Sequence, residues 1–268
     1  MTPKLFDLTG KIAIVTGGGQ GIGEGIALGL AEAGADVVVA GRTEAKLAAV
    51  AARIEALGRR SLGIVTDVTS EASVRHMVGE TKRVLGGVDI LVNNAGAAVS
   101  PKFRRVPVTQ LTSDEFDACI ALNLKSVFFT CQAAVPAMLE RGGGSIINIS
   151  STAARSGEPP RMGFSLYSAA KAGMVSLTRG LAPELAPLIR VNCILPGPVN
   201  SPTSRNRSPE LQKVVEGLIA LGRPGEPEDI AGAVVYFASG ASKWTTGSAM
   251  DIDGGLRSFE PRPAAPVR

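Results

Sequence analysis

Two residues of this 268-residue chain are spaced for proton transfer: Tyr167 and Lys171 stand four positions apart, on one face of any helix that carries them. A phenol ordinarily ionises near ~10. A cation held beside it favours the phenolate, and lowering the pKa by about 3 units takes ~4 kcal/mol of differential stabilisation. Such a tyrosine can give or take a proton near neutrality. In isolation a Tyr/Lys pair on a helix is more often a surface or core pairing, so its weight depends on what accompanies it. The companion is Thr16-Gly17-Gly18-Gly19-Gln20-Gly21-Ile22-Gly23, placed between an apolar run and a helical pattern. Strand, glycine turn and helix N-terminus together form an anion site, because unpaired backbone N–H groups and the positive end of the helix dipole converge there. Gly17 permits the tight turn, Gly21 lets the backbone approach a pyrophosphate, and Gly23 allows close packing of the helix on the sheet. A dinucleotide is the expected cofactor, held along Gly17, Gly19, Gln20, Gly21, Ile22 and Gly23.

At the end of the second strand, an NAD site usually places Asp or Glu for the ribose 2′-hydroxyl. This chain has Gly41-Arg42-Thr43. Asp36 begins that strand, about five residues or ~16 Å away. Arg42 can pair with a 2′-phosphate and Thr43 can add a hydroxyl hydrogen bond, so NADP(H) is expected in preference to NAD(H), with NAD(H) possible.

These residues need a scaffold, and the apolar patterning supplies one. Strand candidates at 11–16, 36–40, 61–66, 88–93, 145–150, 190–195 and 249–251 alternate with helix candidates at 22–33, 44–57, 70–85, 113–139, 166–185 and 227–238. The strands are near-continuous apolar runs, as strands covered on both faces require. The expected fold is therefore α/β: a Rossmann-type, doubly wound, seven-stranded parallel sheet with helices on both faces, in a single domain. That domain spans 1–256, and a tail with Pro261, Pro263 and Pro266 follows over 257–268. Two long connections, 97–112 and 198–221, follow strands and are expected to wall the ligand site.

Scarcity excludes other chemistry. The only histidine is His76, and Cys119, Cys131 and Cys193 form no Cys-x-x-Cys pair, so no zinc site built on histidines or paired cysteines is expected and no metal is assigned. A Ser-His-Asp triad would need His76, which lies in an ordinary amphipathic helix pattern. The odd cysteine count speaks against a disulfide framework and for a reducing compartment, with the cytoplasm as the default. No uninterrupted apolar run reaches ~18 residues, so no membrane partner is expected. The 28 basic and 24 acidic residues are scattered, unlike a nucleic-acid surface. Their one cluster, Lys102, Arg104 and Arg105, is either a solvated loop or an anion-attracting rim.

The chain resembles the short-chain dehydrogenase/reductases over nearly its whole length. The resemblance rests on the Thr16–Gly23 loop, Asp67-Val68, Asn93-Asn94-Ala95-Gly96, Asn123, Ser150-Ser151, Tyr167-x-x-x-Lys171, Pro196-Gly197 and Asp253-Gly254-Gly255. It implies that Asp67 and Val68 contact adenine, that Asn94, Ala95 and Gly96 line the adenosine side, and that Pro196, Gly197 and Val199 lie at the nicotinamide. It further implies that Tyr167 is the acid/base, that Lys171 holds the nicotinamide ribose, that Ser151 binds the substrate oxygen with Ser150 as its rival, and that Asn123 positions a water. Two departures border the implied substrate pocket. Ser151 and Tyr167 are sixteen positions apart, about three more than the family usually has, and the loop after Gly96 is longer by about five.

The expected function is hydride transfer between NADP(H) and a carbonyl or secondary alcohol on a small molecule, in a homotetramer by family resemblance. Lys102, Arg104, Arg105 and Arg161 raise the further expectation of an anionic substrate. The alternatives are a 3-oxoacyl carrier-protein or acyl-CoA reductase, an NAD-dependent sugar, polyol or steroid dehydrogenase, or a cofactor-binding regulator without catalysis.

Overall fold

Alternate residues of the same strands feed two separate cores, and this places helices on both sides of one sheet. The structure is a computed structural model that describes residues 4–156, 163–202, 204 and 208–256. Arg161 and the tail 257–268 lie outside the described residues. Seven strands, β1 (Ile12–Thr16), β2 (Asp36–Gly41), β3 (Ser61–Val65), β4 (Ile90–Asn93), β5 (Gly144–Ile149), β6 (Ile189–Pro196) and β7 (Ala249–Ile252), pair in parallel in the order β3-β2-β1-β4-β5-β6-β7. Ala13, Val15, Val37 and Val39 face one core with Ile26, Leu47 and Phe237. Ile12, Ile14 and Val38 face the other with Met77, Met138 and Met174. The first core is closed by α1 (Gly21–Glu32), α2 (Glu44–Ala56) and α9 (Pro227–Ala238). The second is closed by α3 (Glu71–Leu85), α5 (Ser126–Glu140) and α7 (Ser165–Leu185).

The strand order reverses at β1, which has β2 on one side and β4 on the other. A crevice therefore opens at the carboxyl ends of β1 and β4, where doubly wound sheets bind their ligands.

Three elements differ from the expectation. The pattern at 113–139 forms α4 (Ser113–Ile120), a π turn (Ala121–Lys125) and α5 rather than one regular helix. Within the widened turn, Asn123 Nδ2 donates to the Cys119 carbonyl at 3.0 Å, and Ser126 Oγ donates to the Leu122 carbonyl at 2.6 Å. These side chains satisfy backbone acceptors inside the widened turn. The connection 198–221 contains α8 (Pro209–Leu218), whose start was legible: Ser208 caps the Leu211 N–H and Pro209 sits in the first turn. A one-turn helix, α6 (Ala153–Ser156), follows β5. By length and composition the stretch Ser113–Glu140 could cross a bilayer; here it packs on α3 and on the sheet.

Candidate active site

The glycine loop is built by what its glycines touch. Gly17 and Gly21 have φ of 66° and 56°, a left-handed conformation that glycine adopts without strain. A Cβ on Gly23 would stand 2.1 Å from the Gly17 carbonyl oxygen, so Gly23 lets α1 close onto its own loop. Packing of α1 against its neighbour falls to Gly25 and Gly29, where a Cβ would meet Pro227 at 2.6 Å and Ala231 at 2.7 Å. Gly23 serves the turn and the approach of the helix to the sheet together, since a Cβ there would also stand 2.5 Å from Asn94 Nδ2 just past β4, while Gly25 and Gly29 serve the packing of α1 on α9. Thr16 Oγ1 accepts from the N–H groups of Asn94 (3.0 Å) and Ala95 (3.1 Å), and Asn94 Nδ2 donates to the Thr16 carbonyl at 2.9 Å. This latch fixes the ends of β1 and β4 side by side.

No side chain caps the first turn of α1, whose N-cap is Gln20; Gln20 Oε1 instead accepts from Lys46 at 2.5 Å. By contrast Ser70, Thr112 and Ser208 cap α3, α4 and α8 with their hydroxyls. An uncapped N-terminus behind a glycine turn leaves N–H donors for a pyrophosphate, so the residues present fit a dinucleotide. Arg42 and Thr43 follow the carboxyl end of β2, and Thr43 is the N-cap of α2 with its hydroxyl unused by the helix. Asp36 is committed at the opposite end of the strand, where Arg60 Nε donates to it at 2.7 Å. Asp67 accepts from the Thr69 hydroxyl at 2.7 Å. That bond is the main reason its carboxyl lies below the ordinary range, with Arg42 and Lys102 adding attraction. Val68 is buried beside it.

Tyr167 and Lys171 lie on α7 with the Lys171 Nζ 5.7 Å from the centre of the Tyr167 ring. Lys171 is buried, donates to the Ile149 carbonyl at 2.9 Å, and has its pKa lowered to about 8 by desolvation. Gly96 brings the cofactor crevice to this group: a Cβ there would stand 2.9 Å from Asn123 Oδ1 and 3.2 Å from Lys171 Nζ. The buried Asn123 side chain accepts from the Ala97 N–H at 3.0 Å and donates to the Ala97 carbonyl at 3.1 Å. Ser150 is buried and its hydroxyl donates to the Lys171 carbonyl at 2.9 Å, whereas the half-buried Ser151 accepts from the Ala153 N–H at 3.2 Å. Beside them, the Thr152 N–H donates to the Pro196 carbonyl at 3.0 Å, Gly197 abuts Asp253, and Val199 bridges to Gly225. Residues distant in sequence therefore gather at the carboxyl edge of the sheet.

A family model described as Enoyl-(Acyl carrier protein) reductase matches residues 17–257. A solved short-chain type dehydrogenase/reductase from Mycobacterium marinum superposes with a TM-score of 0.84 at 41% identity, covering 94% of this chain and 96% of that one. The chain belongs to the short-chain dehydrogenase/reductase family. It is an oxidoreductase of the NAD(P)-dependent type that this family comprises. It is also 34% identical to a 3-oxoacyl-[acyl-carrier-protein] reductase of Thermotoga maritima over 93% of this chain and 98% of the relative. A 7α-hydroxysteroid dehydrogenase, solved with NADH and 7-oxo glycochenodeoxycholic acid, superposes with a TM-score of 0.89 at 33% identity, covering 96% of this chain and 98% of that one.

Within this short-chain dehydrogenase/reductase, the three cations of the long loop stand in different surroundings. Arg104 is committed to Glu115, with Nε to Oε1 at 2.6 Å and Nη2 to Oε2 at 3.0 Å. Arg105 stacks its guanidinium 4.0 Å above the Phe164 ring. Lys102 lies toward Asp67. The sequence motifs include Thr16 without a role and do not reach Phe164 or the Ile149 carbonyl. Thr16 had a signal, since a hydroxyl residue ends the first strand directly before the glycines; a backbone carbonyl and a lone phenylalanine carry none.

Proposed function

We propose that this protein is an NADP(H)-preferring oxidoreductase that moves hydride between the nicotinamide and a carbonyl or secondary alcohol of a small molecule, with Tyr167 as general acid in reduction and general base in oxidation. The observation that carries this reading is the buried Lys171 ammonium beside the Tyr167 ring at the mouth of the Gly96 crevice. When bound, the cofactor supplies or accepts the hydride. Below pH about 8 the Lys171 side chain is mostly protonated, and its charge favours the phenolate form of Tyr167. The proton therefore leaves the tyrosine for a carbonyl oxygen in reduction and returns to it from an alcohol in oxidation. With Ser150 occupied by the Lys171 carbonyl, Ser151 is the serine we assign to hydrogen-bond the substrate oxygen. Asn123 holds the Ala97 backbone against the turn and, by resemblance, positions a water behind Lys171.

Gly17, Gly19, Gln20, Gly21, Ile22 and Gly23 would hold the pyrophosphate, and Arg42 with Thr43 the 2′-phosphate. Asp67, Val68, Asn94, Ala95 and Gly96 would line the adenosine side, and Pro196, Gly197 and Val199 the nicotinamide side. The family resemblance supports a homotetramer, and the three buried, unbridged cysteines support a reducing, cytoplasmic setting. The 3-oxoacyl carrier-protein reductase among the relatives keeps one second reading in view, in which the carbonyl belongs to a thioester-linked acyl chain. The test is Tyr167→Phe, which should lower kcat by about 10²–10⁴-fold on any accepted ketone while cofactor fluorescence titrates as before. Retained turnover would overturn the assignment.

A further inference from the structure

Lys46 of α2 reaches across to the glycine loop of α1 and is held there from several sides. Its Nζ donates to Gln20 Oε1 at 2.5 Å. A Cβ on Gly19 would stand 3.3 Å from both Lys46 Cβ and Leu47 Cδ2, so the first turn of α2 lies directly on the loop. Leu47 is buried and wedges that turn in place, since a Cβ on Gly41 would stand 3.4 Å from its Cδ2 and one on Gly63 3.0 Å from its Cβ. The Gly18 N–H donates to the Ala40 carbonyl at 3.2 Å, which ties the loop to β2 as well. Farther along, Arg53 of α2 pairs with Glu24 of α1. The N-termini of α1 and α2, neither capped by a side chain, are thus bridged by the Lys46 side chain. Gln20 is a neutral amide, so its bond orients the ammonium without cancelling its charge.

We propose that Lys46 is a further cofactor-binding residue, whose ammonium meets the adenosine 2′-phosphate alongside Arg42 and so contributes to the choice of NADP(H) over NAD(H). In a doubly wound fold the pyrophosphate lies at the N-terminus of the first helix and the ribose hydroxyls at the end of the second strand. Lys46 belongs to the turn of α2 that begins at Thr43, directly after Arg42, and its backbone N–H donates to the Thr43 carbonyl at 3.1 Å. The residue is therefore rooted at the ribose end while its tip reaches the phosphate loop, across the gap that a phosphate on the ribose would enter. An anion there gains a charge-assisted hydrogen bond from the ammonium and the positive ends of both helices. A ribose without the phosphate brings no charge to this point, so the contact discriminates between the cofactors. Lysine is a flexible side chain, and holding its ammonium on Gln20 before the ligand arrives lowers the ordering cost of binding.

This inference rests on the NADP(H) reading, and its test separates the two. NADPH and NADH are titrated by fluorescence against the native protein, Arg42→Ala, Lys46→Gln and Lys46→Arg, with adenosine 2′,5′-bisphosphate and adenosine 5′-monophosphate as competitors. Lys46→Gln should weaken NADPH and the bisphosphate about tenfold. It should leave NADH and the monophosphate unchanged, which also shows that the variant is folded. Lys46→Arg, which keeps a cation, should restore most of the loss. Equal weakening of NADPH and NADH by Lys46→Gln would overturn the proposal, because it would assign the ammonium to the pyrophosphate that both cofactors share. A native preference for NADPH that Arg42→Ala abolishes and Lys46→Gln leaves intact would also overturn it, with the NADP(H) reading still standing. Equal native affinities for the two cofactors would sink that reading, and the role of Lys46 with it.

Discussion

Arg42 stands just past the end of β2, where a ribose-binding carboxylate would otherwise sit, and among the described residues it makes no hydrogen bond of its own. It attracts the Asp67 carboxylate, which is itself satisfied by Thr69. The guanidinium is therefore available to an incoming phosphate, and Thr43 offers a hydroxyl and a helix N-terminus beside it. A charge-assisted hydrogen bond of about 1.5–3 kcal/mol corresponds to roughly ten- to hundredfold in affinity. Arg42→Ala should weaken NADPH by that factor and leave NADH nearly unchanged, measured by fluorescence titration of the two cofactors. Equal affinities that do not respond to the substitution would contradict the phosphate role. Lys171 follows the opposite logic: burial lowers its pKa to about 8, so its usefulness as a cation near neutrality comes at a cost in desolvation.

At the scale of elements, the π turn and the long loop after Gly96 do what a regular helix and an untethered loop would not. The π turn directs Asn123 back to Ala97 and away from the outer face of the long helix. The long loop depends on Glu115, which ties Thr112, Arg104 and the start of α4 together. The Arg104 guanidinium, with backbone N–H groups of Thr112 and Arg104, holds the Glu115 carboxyl down at about 2 against an ordinary 4.5. A carboxylate depressed in the folded state contributes stability that is fully present above its unfolded value and is lost as pH falls through the folded one. Glu115→Gln should therefore lower Tm near neutrality, and its gap to the native protein should close as pH drops from about 5 toward 2. A gap that stays constant across that range in thermal melts would show that the ion pair contributes nothing.

For the whole molecule, large apolar side chains remain exposed on the surface of α4 and α5: Phe116 is 53% exposed and Phe128 47%. Trp244, the chain's single tryptophan, is 99% exposed just before β7. Exposed apolar side chains grouped on one pair of helices are candidates for association, in line with the proposed tetramer. Sedimentation should give a species four chains in mass, and Phe116→Glu combined with Phe128→Glu should shift it to smaller assemblies. A native protein that sediments as a monomer would exclude this assembly.

The sequence by itself determined the sheet, the glycine turn and the Tyr167/Lys171 pair, because each depends on short-range regularities: apolar runs for strands buried on both faces, positive φ for glycine, and a four-residue helical step. The start of α8 is legible in the same way, in Ser208-Pro209-Glu210, within a connection whose length otherwise reads as loop. Only the tertiary structure decided between the adjacent serines' environments, since Ser150 is drawn inward by a carbonyl on α7. It likewise separated Arg104 from Arg105, neighbours in a basic cluster whose charges go to Glu115 and to Phe164. Those outcomes depend on contacts between residues far apart in the chain, and spacing along the sequence carries no record of which acceptor or ring will be waiting.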